Sequence, residues 1–250
     1  MDVLEAIRSR RSIHLGFFTD RSIPDEAINT ILDAGRWAPS AANNQPVEFL
    51  VVREEESRRW IVDQALEVMR LTSQVGRAPY RKAIKAFYQH LASQEFVLPP
   101  LMIVIMADQD KAETHVYNHG GLHIWAASAA VQNIFLAAWS LGIGGVWLSF
   151  YDDVRVKARF GIPTEMDLVG IVLLGYPKAV PRIPPGLFTF GPRLRRPLED
   201  IVHQERFDEE RFRAWRKRDP YTTWLDEEER QRLVEGEQQQ VRETRKRLEP

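Results

Sequence analysis

Four apolar, strand-like stretches alternate with stretches of helical period, and this predicts a single domain of the α+β or α/β class. The strand-like stretches are "VEFLVVR" from Val47, "LMIVIMAD" from Leu101, the short "GGVWLSF" from Gly144 and "LVGIVLLGYP" from Leu168. A second observation is size: 250 residues, 44% hydrophobic and 28% charged, can bury a substantial core. A third is the lack of any internal repeat, which argues against a solenoid or array.

In chain order, Val3, Leu4 and Ile7 begin a short first helix, and the knot "RSRRS" at its end either caps helix carbonyls or binds an anion. "SIPDEAINTILDAGRWA" places Ile28, Ile31, Leu32 and Gly35 on one face of a second helix that Pro24 is well placed to start. The loop "APSAANNQP", residues 38–46, ends it and spends nine positions on small side chains and amides, more than an ordinary turn needs. Val47 to Arg53 follow as a strand. From Ser57 to Phe96 the period is helical and the polarity mixed, with Gly76 and Pro79 breaking it, as in an excursion outside the main core.

Leu101 to Asp108 are too uniformly apolar for a strand with a wet face. "HIWAASAAVQNIFLAAWSL" is apolar on nearly all sides, so it predicts a central helix surrounded by protein and shared with a partner subunit. "VRVKARFGIP" is a helix closed by Gly161 and Pro163, and a proline-rich connector, Pro181 to Pro192, follows the last strand. After Phe207 the chain is rich in Glu, Arg and Gln at helical spacing, which predicts an exposed or partner-embracing extension over 208–250.

A net charge of −1 gives no electrostatic case for nucleic acid or an anionic membrane, so neither is an expected partner. There are no cysteines, which removes disulfides, thiol nucleophiles and thiolate metal sites. The charged start of the chain has no secretory pattern, and polar residues and glycines interrupt the apolar run from Ala126 to Leu148; the expected location is the cytoplasm.

Two arginine clusters stand out: Arg8, Arg10 and Arg11 with Ser12, and Arg193, Arg195 and Arg196. Guanidinium suits bidentate phosphate binding, and a solvated surface or a helix cap accounts for such clusters equally well. "GIGG" lacks the G-x-G-x-x-G spacing of a dinucleotide fold; Gly144 and Gly145 either form a tight turn or let a ligand edge approach backbone donors. His115, His119 and His123 share a four-residue spacing, but Gly120 and Gly121 interrupt it and no carboxylate completes it, so no metal site is expected. Trp125, Trp139 and Trp147 read as core or interface aromatics. Ser40, Ser128 and Ser149 lack a nucleophile-elbow context. Chemistry is therefore left to a bound organic cofactor.

Taken together and in order, "RSRRSIH", "ILDAGRWAPSAANNQPVEFLVV", "AVQNIFLAAWSLGIGGVWL", "GIPTEMDLVGIVLLGYP" and "RRPLEDIVH" closely resemble the nitroreductase family of FMN-dependent oxidoreductases, over roughly Val3 to Phe207. The resemblance implies a three-layer α+β fold over 1–207 with a mixed, mainly antiparallel sheet flanked by helices. It also implies a homodimer built on the long central helix, with FMN bound non-covalently at the subunit interface. NADH or NADPH would be the electron donor, and a nitroaromatic, a quinone or a similar flat small molecule the acceptor, in a ping-pong mechanism.

By position, Arg10, Arg11 and Ser12 would hold the FMN phosphate and ribityl chain, with Arg195 or Arg196 closing on the phosphate. Ser40, Asn43 and Gln45 would meet the flavin from its own or the other subunit. Gly145, Trp147, Leu148 and Ser149 would lie along the isoalloxazine. The segment 57–98 would form a lid that sets substrate choice. His14 stands where the family often has a basic residue, which makes contacts there pH-sensitive or absent, and Val47 stands where an aromatic is usual. Two alternatives are a flavin-fragmenting dimethylbenzimidazole synthase, a branch with aspartate where Ser12 stands, and a non-catalytic flavin-binding protein.

Overall fold

The computed structural model describes residues 1–75, 78–93, 95–111, 121–178 and 197–217. The chain divides into two compact units, Met1–Pro181 and Arg182–Pro250.

In the first unit, helix α1 (Val3–Ser9) starts where the Asp2 carboxylate accepts the Glu5 amide at 2.9 Å. Helix α2 (Asp25–Arg36) starts after Pro24 with two acidic residues in its first turn, which suits the helix dipole. Strand β1 (Val47–Val52) leads to α3 (Glu55–Thr72) and α4 (Ala78–Ala92), then to β2 (Leu101–Asp108). Helix α5 (Leu122–Ser140), β3 (Gly144–Leu148), α6 (Asp153–Phe160) and β4 (Met166–Gly175) complete the unit. Gly161 ends α6 in the left-handed conformation at φ 65°, with its amide on the Lys157 carbonyl.

The strands form one sheet in the order β1-β2-β4-β3, each neighbouring pair antiparallel. A single parallel bridge, Ser12 to Gly145, extends the sheet beyond its β3 edge. Successive side chains of a strand point to opposite faces, and both faces of the inner strands are apolar. Met102, Val104 and Met106 of β2, with Ile171 and Leu173 of β4, enter one core cluster. Leu101, Ile103, Ile105 and Ala107, with Val172 and Leu174, enter the other. Helices α3, α4 and α6 contribute to the first cluster through Ile61, Ala65, Met69, Ile84, Leu91 and Val156. Helices α2 and α5 contribute to the second through Ile28, Ile31, Ala127, Val131 and Ile134. The outcome is the expected three-layer α+β sandwich.

The stretch from 57 to 98 thus puts its apolar stripe into the first cluster. Its mixed polarity in sequence reflects one buried side and one wet side. Helix α5 is long and apolar enough to cross a membrane by composition. Its Ala127, Ala130, Val131 and Ile134 are fully buried against α2 and the sheet.

In the second unit, a 3-10 turn at Leu198–Asp200 and helix α7 (Glu209–Lys217) are described. Arg211 joins them, donating to the carbonyls of Glu199 and Val202 and meeting His203 Nδ1 at 2.8 Å. The rings of His203 and Phe207 stack with centroids 4.3 Å apart.

The glycine pair in β3 is a packing requirement. A Cβ at Gly144 would sit 2.3 Å from Ile13 Cγ1, and one at Gly145 would sit 2.5 Å from the Leu173 carbonyl oxygen. Because the second clash is with backbone, Gly145→Ala is expected to lower stability by about 1–3 kcal/mol, read as a shifted denaturant midpoint with an unchanged slope.

Candidate functional site

Two groups of polar residues border α5 at different heights. The first is assembled at the β3 edge. Fully buried Ile13 donates its amide to the Gly145 carbonyl at 3.0 Å, and Ser12 bridges Gly145. This pairing sets Arg10, Arg11, Ser12 and His14 beside Gly145, Trp147, Leu148 and Ser149, so eight of the expected site residues share one neighbourhood. The Arg10 guanidinium lies over the Phe135 ring of α5, 5.3 Å from its centroid. One residue further back, Ser9 Oγ accepts from Trp139 Nε1 at 2.8 Å and donates to the Glu5 carbonyl, which locks the end of α1 onto α5.

The structure refines what the β3 residues offer. Along an antiparallel edge strand, alternate residues turn their N–H and C=O outward. The Gly145 carbonyl is spent on Ile13, so Trp147 is the next residue in the outward-facing set. Its indole packs over Gly170, where a Cβ would be 1.9 Å from Nε1, and donates to the Val169 carbonyl at 3.3 Å. A register shift between Ile105 and Met106 leaves Val169 without an opposite residue on β2. The Leu148 side chain is buried in the first core cluster, which leaves its backbone as the part a ligand can meet.

His14 packs edge-on against Phe87 of α4, centroids 5.6 Å apart. Burial lowers its pKa from 6.5 to about 4, so the imidazole is neutral at physiological pH.

The second group is the loop after α2. A 3-10 turn at Ala41–Asn43 is followed by the entry into β1, and three non-glycine residues hold positive φ: Ala42 at 48°, Asn43 at 57° and Gln45 at 49°. Asparagine tolerates this region; alanine and glutamine pay of order 1 kcal/mol each. Ser40 Oγ accepts the Gln45 amide at 3.0 Å, and Gln45 Nε2 reaches the Asn43 carbonyl at 3.5 Å. The three expected loop residues therefore fold on one another. Asn44 and Lys111, absent from the expected set, tie the loop to the turn after β2. Pro39, Ser40 and Ala41 face Leu122, Trp125, Ala126 and Ala129 of α5 across a groove of about 220 Å³. Trp125 is 58% exposed there. Val47, where an aromatic is usual, is partly buried against the second core cluster.

Arg195 and Arg196 lie outside the described residues, as do His115 and His119. His123 is buried, with Nε2 2.8 Å from Asp167 Oδ2, while Gln109 Nε2 donates to Asp167 Oδ1 at 2.6 Å. Burial pushes the Asp167 carboxyl up, but the bonds from His123 and Gln109 outweigh it and hold the group below its ordinary value. Among the described residues no three carboxylate or imidazole groups are arranged to hold a metal ion.

The model of the nitroreductase family matches residues 7–176. A protein of Methanothermobacter thermautotrophicus, provisionally named NADH dehydrogenase/NAD(P)H nitroreductase, is 34% identical over 185 residues, covering 72% of this chain and 80% of that one. A protein of the same provisional name from Archaeoglobus fulgidus is 36% identical over 181 residues, covering 71% and 86%. Among solved structures, a provisionally named nitroreductase of Desulfovibrio desulfuricans in complex with FMN superposes with a TM-score of 0.56 at 28% identity, over 83% of this chain and 99% of that one.

The neutral His14 has a measurable consequence. Its folded pKa, about 4, lies below the unfolded value of 6.5, so the unfolded chain binds more protons between these values. The stability that His14 supplies by staying neutral is complete above pH 6.5 and is lost as pH falls towards 4, by up to about 3 kcal/mol. His14→Phe should flatten the pH dependence of unfolding free energy across that window.

Proposed function

The chain belongs to the nitroreductase family, and from that premise we propose that it is an FMN-dependent oxidoreductase that takes hydride from NADH or NADPH. It passes two electrons to a nitroaromatic, a quinone or a similar flat electrophile. The observation that carries this reading is the Ser12–Gly145 bridge, because it gathers two guanidinium groups, a hydroxyl and an outward-facing strand edge at one place.

That donor set fits FMN. Arg10 and Arg11 supply charge-assisted, bidentate donors for a phosphate dianion, and Ser12 supplies a neutral donor beside them. Neutral His14 contributes packing and a hydrogen-bonding nitrogen without adding charge. The Trp147 amide lies along the strand edge, where it can donate to the polar rim of a flat ring and stabilise added negative charge. Bound FMN supplies the two-electron redox chemistry that this cysteine-free chain has no side chain to perform. Donor and acceptor use the same open face in turn, which gives ping-pong kinetics.

The second polar group completes the site across a homodimer. Arg10 borders α5 at Phe135, whereas the 39–41 loop borders it at Trp125 and Ala129. At 1.5 Å per residue, Phe135 stands roughly 9 Å from Ala129 and roughly 15 Å from Trp125 along α5 in one chain. A second copy with its α5 running in the opposite sense brings its Ser40, Asn43 and Gln45 to this chain's Arg10 and Trp147. Exposed Val3, Leu4 and Ile7 on α1, with Trp125 and Leu141 on or just after α5, supply apolar surface for such a contact. Helix α4, whose Phe87 touches His14, borders the site on the side where the acceptor enters and helps to set substrate choice. In this reading the enzyme works in the cytoplasm.

The purified protein should be yellow, bleach with NADH or NADPH under anaerobic conditions, and regain its colour with a quinone or nitroaromatic. A colourless protein that takes up no FMN would remove the proposal at its first step. Arg10→Ala should weaken FMN binding by about 1.5–3 kcal/mol, the range of a charge-assisted bond, and leave the thermal midpoint of the apoprotein nearly unchanged.

A further inference from the structure

The loop after α2 holds a conformation that its own residues disfavour, and something must hold it there. Ala42 and Gln45 have φ of 48° and 49°, a region where a Cβ crowds the following carbonyl. Strain of this kind persists only where the surroundings over-determine it. Within the loop, the bond from the Gln45 amide to Ser40 Oγ closes a turn but gives no purchase on the rest of the fold.

Two reciprocal bonds supply that purchase. Asn44 Nδ2 donates to the Lys111 carbonyl at 3.1 Å, and Lys111 Nζ donates back to the Gln45 carbonyl at 3.4 Å. Lys111 ends a 3-10 turn at Gln109–Lys111 that is itself anchored to the sheet. The Gln109 amide donates to the Glu165 carbonyl at 3.0 Å, and the Asp108 amide donates to the Pro46 carbonyl at 2.9 Å. Both ties run from the loop to Lys111, which is remote from it in sequence.

We infer that Asn44 and Lys111 are positioning residues: a two-bond clasp that keeps the strained 41–45 loop in the shape that meets the flavin. This rests on the reading that the loop lies against FMN. Neither residue is assigned a contact with the cofactor. Their role is to make the loop's disfavoured backbone the populated one before ligand arrives, so that binding does not have to impose it.

The test is FMN titration of the full-length apoprotein by flavin fluorescence, on wild type, Lys111→Met, Asn44→Ala, Ala42→Gly and the pair Lys111→Met/Ala42→Gly. Lys111→Met and Asn44→Ala should each raise the FMN Kd roughly tenfold, the loss expected when a positioning hydrogen bond is removed. Glycine adopts positive φ freely, so Ala42→Gly should recover most of the affinity lost in Lys111→Met, while shifting the wild type by less than about twofold. A merely structural or merely electrostatic role for Lys111 would not be rescued by a glycine three residues from Gln45. An FMN Kd for Lys111→Met within about twofold of wild type overturns the inference, as does a loss that Ala42→Gly leaves untouched or that tracks a lowered apoprotein thermal midpoint. If the wild type itself binds no FMN, the functional reading fails before any substitution is made and the clasp falls with it. If the wild type binds and Lys111→Met does not differ, the clasp alone is wrong.

Discussion

The amide of Ile13 on the carbonyl of Gly145 is the contact on which the arrangement of the rest depends. With the Ser12 bridge it attaches the segment after α1 to the β3 edge, and it leaves room for Ile13 only because Gly144 has no Cβ. Ile13 is fully buried, so moving it exposes a large apolar side chain and unpairs a strand edge at the same time. The local sequence Arg10-Arg11-Ser12 is therefore pinned by its neighbour's burial. A mobile basic arm would have to be ordered at each binding event, whereas this one is ordered when the sheet forms.

The second constraint is α5. It spans the sheet and carries Phe135 and Trp139 towards the basic segment and Trp125 towards the loop, so the two polar groups meet it at different heights. Buried alanines let α2 and the strands approach it closely on one side. On the other, Trp125 and the neighbouring Leu141 stay exposed although they are large and apolar. A well-packed inner face and bulky uncovered residues are what the proposed homodimer requires of this helix. This is why the proposed homodimer and the proposed cofactor site are one hypothesis rather than two.

Much of this was legible in the sequence, for identifiable reasons. Strands buried on both faces announce themselves as continuous apolar runs, and β2 and β4 are of that kind. Helix α5 is apolar nearly all round, and its inner face, with Ala127, Val131 and Ile134, is buried as that pattern suggests. What could not be read was anything set by partners distant in the chain. Gly144 and Gly145 looked equally like a turn or a ligand cradle, because the side chain that fills the space above Gly144 belongs to Ile13. Ile61, Ala65 and Met69 sit among charged residues, so α3 resembled an excursion until its apolar stripe met the sheet. Arg10, Ser12, Ser40 and Gln45 could be named from their order, but which of them share a neighbourhood followed only from the fold.

The loop shows the limit of residue-type reasoning most clearly. Its small and amide side chains suggested a surface for something to lie against, and Ser40 with Gln45 indeed turns partly inward, satisfying the loop itself. Positive φ at an alanine and a glutamine carries no signature in sequence, since neither residue favours it. The energy that sustains it comes from Lys111 and Asn44, one of them far along the chain. Local sequence here specifies a chemistry of contact, and long-range bonds specify the shape in which that chemistry is presented. The loop's shape therefore depends on Lys111, outside the motif, as well as on Asn44 within it, which makes residues outside the motif as informative as those inside.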